Sequence, residues 1–165
     1  AIARLPLPVV ACVQGAVAGG GFSLALACDL VIAARDARFV VGYPQLGVST
    51  DGGLCFQLVQ RLGRARALEL LTVHGRLDAA AAKDLGLVNE VVDGAGLDAA
   101  AGAVADRLIA LPAQAVRELK SLVAGAELEA LSEQLDRERV AFLRCASTPV
   151  MRERLAAFMA KAAGG

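Results

Sequence analysis

A chain of 165 residues, of which 56% are hydrophobic and 21% charged, is long enough for one domain with a buried core and too apolar to be disordered. Lysine plus arginine and aspartate plus glutamate number 17 each, so the formal net charge is zero. The chain therefore has no basic excess to neutralise phosphates, and we expect no nucleic-acid partner.

A segment with three consecutive glycines, Gly19–Gly21, predicts a strand, a turn and the start of a helix. The apolar, β-branched run 9–13 precedes these glycines and the helix-forming run 24–27 follows them. Backbone N–H groups are unpaired at a helix start, so glycines there let a ligand oxygen approach the backbone. This geometry suits one half of an oxyanion hole. An alternative explanation, supported equally, is that the glycines allow close packing of a helix on a sheet. A nucleotide-binding loop is excluded because no Lys-Ser or Lys-Thr pair follows the glycines.

Residues 5–28 carry no formal charge and have the length of a membrane span. Pro6, Pro8, Gln14 and four glycines interrupt this stretch, so the strand-turn-helix interpretation is preferred. The start of the chain does not show the basic segment and cleavage site that would indicate a signal peptide. We therefore expect a soluble, cytoplasmic protein with no membrane partner.

The cysteines predict neither disulfides nor a metal site, because none of them shows Cys-x-x-Cys spacing. We expect buried thiols in a reducing compartment at Cys12, Cys28, Cys55 and Cys145. His74 is the one histidine of the sequence, so a zinc centre has too few ligands and no metal is expected.

Strands and helices alternate in the sequence that follows, which predicts an α/β architecture. In order, we predict strands at 30–34 and 38–41, a loop at 43–53, helices at 54–62, 65–73 and 79–85, and a strand at 87–92. Gly63 is expected to end the first of these helices, and Asp78 and Gly86 to cap the third.

From residue 97 onward the sequence predicts helices throughout. Pro112 is expected at one helix start, and Thr148-Pro149 opens the last helix. A long helix at 127–146 carries an apolar stripe formed by Leu128, Leu131, Leu135 and Phe142. The surplus of apolar positions predicts either a helical arm that packs on a partner subunit or packing within the same subunit.

A hydrolase triad is one possible chemistry, since Ser23, Asp51 and His74 occur in the order that α/β-hydrolases use. Residues 21–25 nearly form a nucleophile elbow, but Ala25 replaces its final glycine. His74 follows a helix rather than standing on a late loop, so this triad is disfavoured.

A series of short motifs runs in order over almost the whole chain: Pro8-Val9-Val10-Ala11, Gln14-Gly15, Gly19-Gly20-Gly21, Ala27-Cys28-Asp29-Leu30, Ala33-Ala34, Ala37-Arg38-Phe39, Leu46-Gly47, Gly52-Gly53, Leu62-Gly63, Ala67-Leu68-Glu69 and Leu85-Gly86-Leu87-Val88. Together they resemble the crotonase superfamily, the enoyl-CoA hydratase and isomerase family. The resemblance implies a ClpP/crotonase-like α/β spiral of ββα units. Residues 1–110 would form the C-terminal part of the spiral core, and residues 111–165 a C-terminal helical region used in forming a homotrimer or hexamer.

The resemblance also implies an acyl-CoA thioester substrate, with coenzyme A as part of that substrate and no separate cofactor. The family's N-terminal portion, which holds the second oxyanion donor and most of the CoA adenine pocket, is absent from this chain. The chain begins at Ala1 rather than at a methionine. We therefore expect a fragment whose active site is incomplete by itself.

Particular residues acquire expected roles from the resemblance. Gly20 would donate one of two backbone N–H groups to the thioester oxygen, and Lys161 would contact the CoA of a neighbouring subunit. Asp51 matches an aspartate that some family isomerases use as a base and that aroyl-CoA dehalogenases use as a nucleophile; alternatively, Asp51 caps the helix that follows it. The substrate pocket would be lined by Gly19, Ser23, Tyr43 and Gly52.

Ordinary hydration is not expected, because typical hydratases carry glutamates where this chain has Ser23 and Tyr43, and hydration needs paired carboxylates. For these two residues, packing for Tyr43 and a first-turn serine for Ser23 are favoured over any chemical role. The expected activity is a double-bond shift in an enoyl-CoA through a thioester enolate, with Asp51 moving the proton. The alternatives are a hydratase or another crotonase-type lyase or hydrolase, and a catalytically silent module for acyl-CoA binding or assembly.

Overall fold

The computed structural model describes residues 2–125 and 128–163. The strands are β1 (Val10–Val13), β2 (Ala16–Ala18), β3 (Leu30–Ala34), β4 (Arg38–Val40), β5 (Arg76–Asp78) and β6 (Glu90–Val92). The helices are α1 (Gly20–Ala27), α2 (Leu54–Glu69), α3 (Ala79–Asp84), α4 (Leu97–Ile109), α5 (Ala113–Gly125), α6 (Leu128–Ala146) and α7 (Pro149–Ala163). Short 3₁₀ turns lie at Ile2–Arg4, Pro44–Leu46 and Gly94–Gly96, and a π-helical turn lies at Leu70–His74.

The strands of the described residues form two small three-stranded sheets. The first has the order β1-β3-β6 with all strands parallel; in the second, β4 pairs with β2 in parallel and with β5 antiparallel. The chain passes from the first sheet to the second at β1–β2 and again at β3–β4, and a helix, α1 or α2, follows each passage. This is the predicted repetition of ββα units.

Local sequence signals account for most element boundaries. The strand predicted at 30–34 is β3 itself, and Gly63 interrupts α2 with non-helical angles of φ 74° and ψ 164°. Asp78 Oδ1 accepts a hydrogen bond from the Ala81 N–H at 2.8 Å and caps α3 as predicted. Strands β2 and β5 were not predicted; each has three residues and pairs with β4.

The core lies between α1, α2 and the two sheets. Phe22 of α1 and Phe39 of β4 are fully buried, with ring centroids 5.2 Å apart. Leu26, Leu54 and Leu58 are buried beside them and join α1 to α2. Packing of α1 on this core fixes the direction in which the glycines at its start point.

The C-terminal helices attach to the core through a few specific contacts. Lys120 of α5, with a side chain only 5% exposed, donates hydrogen bonds of 2.7 Å to Asp29 Oδ2 and to the Leu7 carbonyl. On the predicted stripe of α6, Phe142 packs against the core, while the side chain of Leu128 lies outside the described residues. Large apolar side chains on α4, α5 and α7 are exposed, including Ile109, Leu122, Val123, Phe158 and Met159.

The cysteines are all free thiols, but the prediction that they are buried is correct for Cys28 and wrong for Cys12, which is exposed. Cys12 lies on β1, which is an edge strand of its sheet. Because successive side chains of a strand point to opposite faces, Cys12 is exposed while its neighbours on β1 are partly buried. Cys55 and Cys145 are partly buried. Within the described ranges, no helix combines the length and apolar character needed to cross a membrane.

We predict that Lys120→Met in the full-length protein lowers the free energy of unfolding by about 2 kcal/mol, because Asp29 and the Leu7 carbonyl lose a buried donor. Lys83→Met, at an exposed lysine of α3, is the matched control and should change it by less than about 0.5 kcal/mol. Denaturant unfolding measures both. Equal effects of the two substitutions would show that Lys120 does not anchor α5.

Candidate active site

The start of α1 presents backbone N–H groups with no partner among the described residues. Gly19 precedes the helix at φ 51° and ψ −119°, a conformation that glycine tolerates. Its carbonyl accepts the N–H groups of Phe22 and Ser23, and its own N–H donates to the Val40 carbonyl at 2.9 Å. The N–H groups of Gly20 and Gly21 donate to no acceptor in the described part of the chain. Two donors at the positive end of a helix are thus available to a ligand oxygen.

The carboxylate of Asp51 is held by a phenol from the preceding turn. Tyr43, 6% exposed, donates a hydrogen bond from Oη to Asp51 Oδ1 at 2.5 Å. Burial, and then this hydrogen bond, raises the pKa of the Tyr43 phenol to about 12, so the phenol stays protonated and remains a donor near neutral pH. Asp51 Oδ2 accepts no hydrogen bond from the described residues. Tyr43 therefore does more than the packing that we expected of it.

Ser23 links α1 to the same loop. Its side chain is 2% exposed, and Oγ lies 3.0 Å from the Asp51 carbonyl oxygen, 3.3 Å from the Gly19 carbonyl oxygen and 3.2 Å from Tyr43 Oη. Because the Tyr43 proton goes to Asp51, these three oxygens act as acceptors that share the one Ser23 proton. A hydroxyl committed in this way stabilises the loop and is a poor nucleophile.

The glycines of the Asp51 loop are required by space and backbone angle. Gly52 has φ 62°, and a Cβ added there would lie 2.9 Å from the Ser23 Cβ. A Cβ at Gly19 would lie 3.9 Å from Cζ of Tyr43, an ordinary van der Waals distance, so the tyrosine ring lies beside the start of α1. The structure thus brings the predicted pocket residues Gly19, Ser23, Tyr43 and Gly52 together around Asp51.

The alternative in which Asp51 caps the following helix is wrong for its side chain. Gly53 stands at the cap position of α2 with φ 84°, and no side chain from the cap residue bonds the helix start. The Gly53 N–H instead donates to Glu138 Oε2 of α6 at 2.7 Å. Only the Asp51 main-chain carbonyl serves α2, accepting the Leu54 N–H at 3.2 Å.

Glu138 was not singled out in the sequence, although a signal was present. The stripe of α6 runs through Leu131, Leu135 and Phe142, and Glu138 falls at the helical spacing between the last two. A carboxylate on an apolar face is rarely left without a partner. Its partner, Gly53, is 85 residues away and follows from the fold alone.

The hydrolase triad is not assembled. His74 is exposed, and its Nε2 lies 3.2 Å from Glu69 Oε1, on the same helical segment. In the described part of the chain, no hydrogen bond joins His74 to Ser23 or Asp51. The described residues also contain no group of three or more histidine, cysteine, aspartate or glutamate side chains able to hold a metal ion.

Lys161 belongs to α7, but its side chain is outside the described residues, so its predicted contact with CoA stays a prediction. A mainly apolar cavity of about 520 Å³ lies beside Leu26, Leu119 and Val123, at the opposite end of α1 from Gly20. Its lining includes none of Gly20, Ser23, Tyr43 and Asp51.

A family model described as enoyl-CoA hydratase/isomerase matches residues 1–163. The chain belongs to the enoyl-CoA hydratase/isomerase family. It is 38% identical over 160 residues to a 1,2-epoxyphenylacetyl-CoA isomerase from Escherichia coli K12, covering 97% of this chain and 61% of that protein. It is 30% identical over 160 residues to 4-chlorobenzoyl coenzyme A dehalogenase-1 from Arthrobacter, covering 97% of this chain and 58% of that one.

A solved enoyl-CoA hydratase from Mycobacterium avium subsp. paratuberculosis K-10 superimposes with a TM-score of 0.91 at 37% identity. The match covers 96% of this chain and 65% of that structure. The chain therefore has the crotonase fold, as the motifs predicted, and spans less than two thirds of the length of these enoyl-CoA hydratase/isomerase family members.

We predict that Gly52→Ala destabilises this family member by at least about 1 kcal/mol more than Gly86→Ala. Both glycines have positive φ, so both alanines carry a left-handed cost of about 1–2 kcal/mol. At Gly52 the new Cβ also meets Ser23, whereas at Gly86 nothing lies within 4 Å. Denaturant unfolding of both variants separates the two effects, and equal losses would mean that the loop is not packed against Ser23.

We predict that Tyr43→Phe lowers the free energy of unfolding at pH 8 by about 1–2 kcal/mol, because Asp51 Oδ1 loses its donor. The raised pKa favours the neutral phenol in the folded state, so the tyrosine's contribution is present below pH 10 and is lost as the pH rises toward about 12. The difference between wild type and Tyr43→Phe should accordingly shrink above pH 10 in denaturant titrations. A difference that stays constant to pH 11.5 would contradict the protonated-donor assignment.

Proposed function

We propose that the full-length protein is an acyl-CoA isomerase that shifts a double bond in an enoyl-CoA through a thioester enolate. Gly20 supplies one backbone N–H to the thioester oxygen, a donor from the upstream part of the protein supplies the second, and Asp51 moves the proton. The proposal rests most on the surroundings of Asp51. Its Oδ1 is held by Tyr43, its side chain does not cap a helix, and its loop packs on the start of α1.

The chemistry follows from charge stabilisation on the thioester oxygen. With a 3-enoyl-CoA bound, the Asp51 carboxylate removes a proton from C2, and the C–H electron pair delocalises through the thioester carbonyl onto its oxygen. Unpaired N–H groups at the start of α1 stabilise this oxyanion more than the neutral carbonyl, which lowers the barrier. Asp51 then returns the proton to C4, and the double bond moves to C2–C3.

The structure of the site favours isomerisation over hydration. Hydration needs one group to hold water and activate it and another to deliver a proton, and family hydratases use two glutamates for this. Here the matching positions hold Ser23, whose hydroxyl is committed within the loop, and Tyr43, whose phenol is bonded to Asp51. One carboxylate that both removes and returns a proton is sufficient for a double-bond shift.

The similarity to an epoxyphenylacetyl-CoA isomerase and to a chlorobenzoyl-CoA dehalogenase supports an acyl-CoA thioester as the substrate class. Coenzyme A then enters as part of the substrate, and no further cofactor is proposed. A homotrimer or hexamer is also proposed, supported by the exposed apolar side chains of α4, α5 and α7. The contact of Lys161 with CoA and the cytoplasmic location remain predictions.

We predict that Asp51→Asn in the full-length protein lowers kcat for conversion of trans-3-hexenoyl-CoA to the 2-enoyl isomer by roughly 10²–10⁴-fold, because the amide cannot accept the proton. Asp36→Asn, at an exposed turn, is the control and should keep wild-type activity. Ser23→Ala should lose much less than Asp51→Asn. Equal rates for wild type and Asp51→Asn would remove Asp51 from the mechanism, and CoA affinity without turnover would favour the silent binding module.

A further inference from the structure

We propose that Glu138, on the C-terminal helix α6, is a positioning residue for Asp51. It takes the place of a capping side chain at the start of α2 and so leaves the Asp51 carboxylate available for the reaction. This inference rests on the proposed function, and it assigns to the C-terminal helices a part in catalysis within the same subunit.

The contact itself is short and buried. Glu138 is 5% exposed, and its Oε2 accepts the Gly53 N–H at 2.7 Å. Gly53 follows Asp51 by two residues and immediately precedes α2. A shift of Glu138 would therefore pull on the backbone that carries Asp51.

Helix capping explains why a distant carboxylate is needed. The first N–H groups of a helix have no partner within it, and an aspartate just before the start is the usual acceptor. Asp51 lies two residues before Gly53, and an aspartate side chain can accept the N–H two residues further on, but the Asp51 carboxylate accepts the Tyr43 phenol instead. Glu138 supplies the missing acceptor, and its negative charge suits the positive end of the α2 macrodipole.

Packing leaves Glu138 little freedom to adopt another position. A Cβ added at Gly53 would lie 3.3 Å from Leu131 Cδ1 and 3.5 Å from Leu135 Cδ2, so α6 lies directly against the loop. Glu138 Oε1 is buried and has no hydrogen-bond donor among the described residues. The pKa of the Cys55 thiol is consistent with Glu138 lying close to this loop. Burial and, to a smaller extent, the charge of Glu138 raise that pKa.

Two conservative substitutions separate reach from charge. Glu138→Gln keeps the length of the side chain and one carbonyl oxygen as acceptor, whereas Glu138→Asp keeps the charge and shortens the side chain by one methylene. Positioning through the Gly53 hydrogen bond predicts that the aspartate variant is the worse one. The matched control is Glu133→Gln, at an exposed glutamate on the same helix that pairs with Arg137 at 2.9 Å.

The experiment uses the full-length protein and trans-3-hexenoyl-CoA. For Glu138→Asp we expect kcat to fall by roughly 10- to 100-fold while KM stays within about 2-fold, because a displaced base slows proton transfer and leaves CoA binding intact. Glu138→Gln should stay within about 3-fold of wild type, and Glu133→Gln should be unchanged. Hydrogen exchange measured by mass spectrometry should show faster exchange of Glu138→Asp confined to the peptide around residues 50–56.

The outcomes distinguish this inference from the proposed function. If Asp51→Asn abolishes turnover and Glu138→Asp does not lower kcat, the role of Glu138 is overturned and the isomerase stands. If the wild type does not isomerise the substrate, the isomerase proposal fails, and exchange decides: a local increase at residues 50–56 supports Glu138 as the support of the Asp51 loop. Unchanged exchange, or an increase spread over the whole chain, overturns it.

Discussion

The hydrogen bond from the Tyr43 phenol to the Asp51 carboxylate is the interaction on which the candidate active site depends. It fixes the acidic side chain on one oxygen, and burial keeps the phenol protonated as the donor. The loop backbone is held separately, by Ser23 at the Asp51 carbonyl and by Glu138 at the Gly53 N–H. A base carried on a loop thus gains the fixed geometry that proton transfer requires.

The two helices beside the site differ in the partners of the backbone N–H groups at their N-termini. At α2 the Gly53 N–H is satisfied by a buried carboxylate, and the Leu54 N–H donates to the Asp51 carbonyl. At α1 the N–H groups of Gly20 and Gly21 have no acceptor among the described residues. Unpaired backbone donors lower stability, and they are retained where a ligand's developing charge can use them.

Much of the fold could be predicted because its signals are local. A β-branched run predicts β3, Asp78 caps α3, and Gly63 breaks α2, each through properties of a few neighbouring residues. Strands β2 and β5 are too short for a period-two pattern and exist through pairing with β4. The site follows the same division: the glycines and Asp51 are recognisable in sequence, whereas the contact between Glu138 and Gly53 depends on how α6 packs across the loop.

The central claim is that the Gly20 N–H and the Asp51 carboxylate face the same thioester. A crystal structure of the full-length protein with hexanoyl-CoA, which has no double bond to move, tests this most directly. The account predicts the thioester oxygen within about 3 Å of the Gly20 nitrogen and an Asp51 carboxylate oxygen within about 3.5 Å of C2. A thioester bound elsewhere, or an Asp51 side chain turned away from C2, would contradict it.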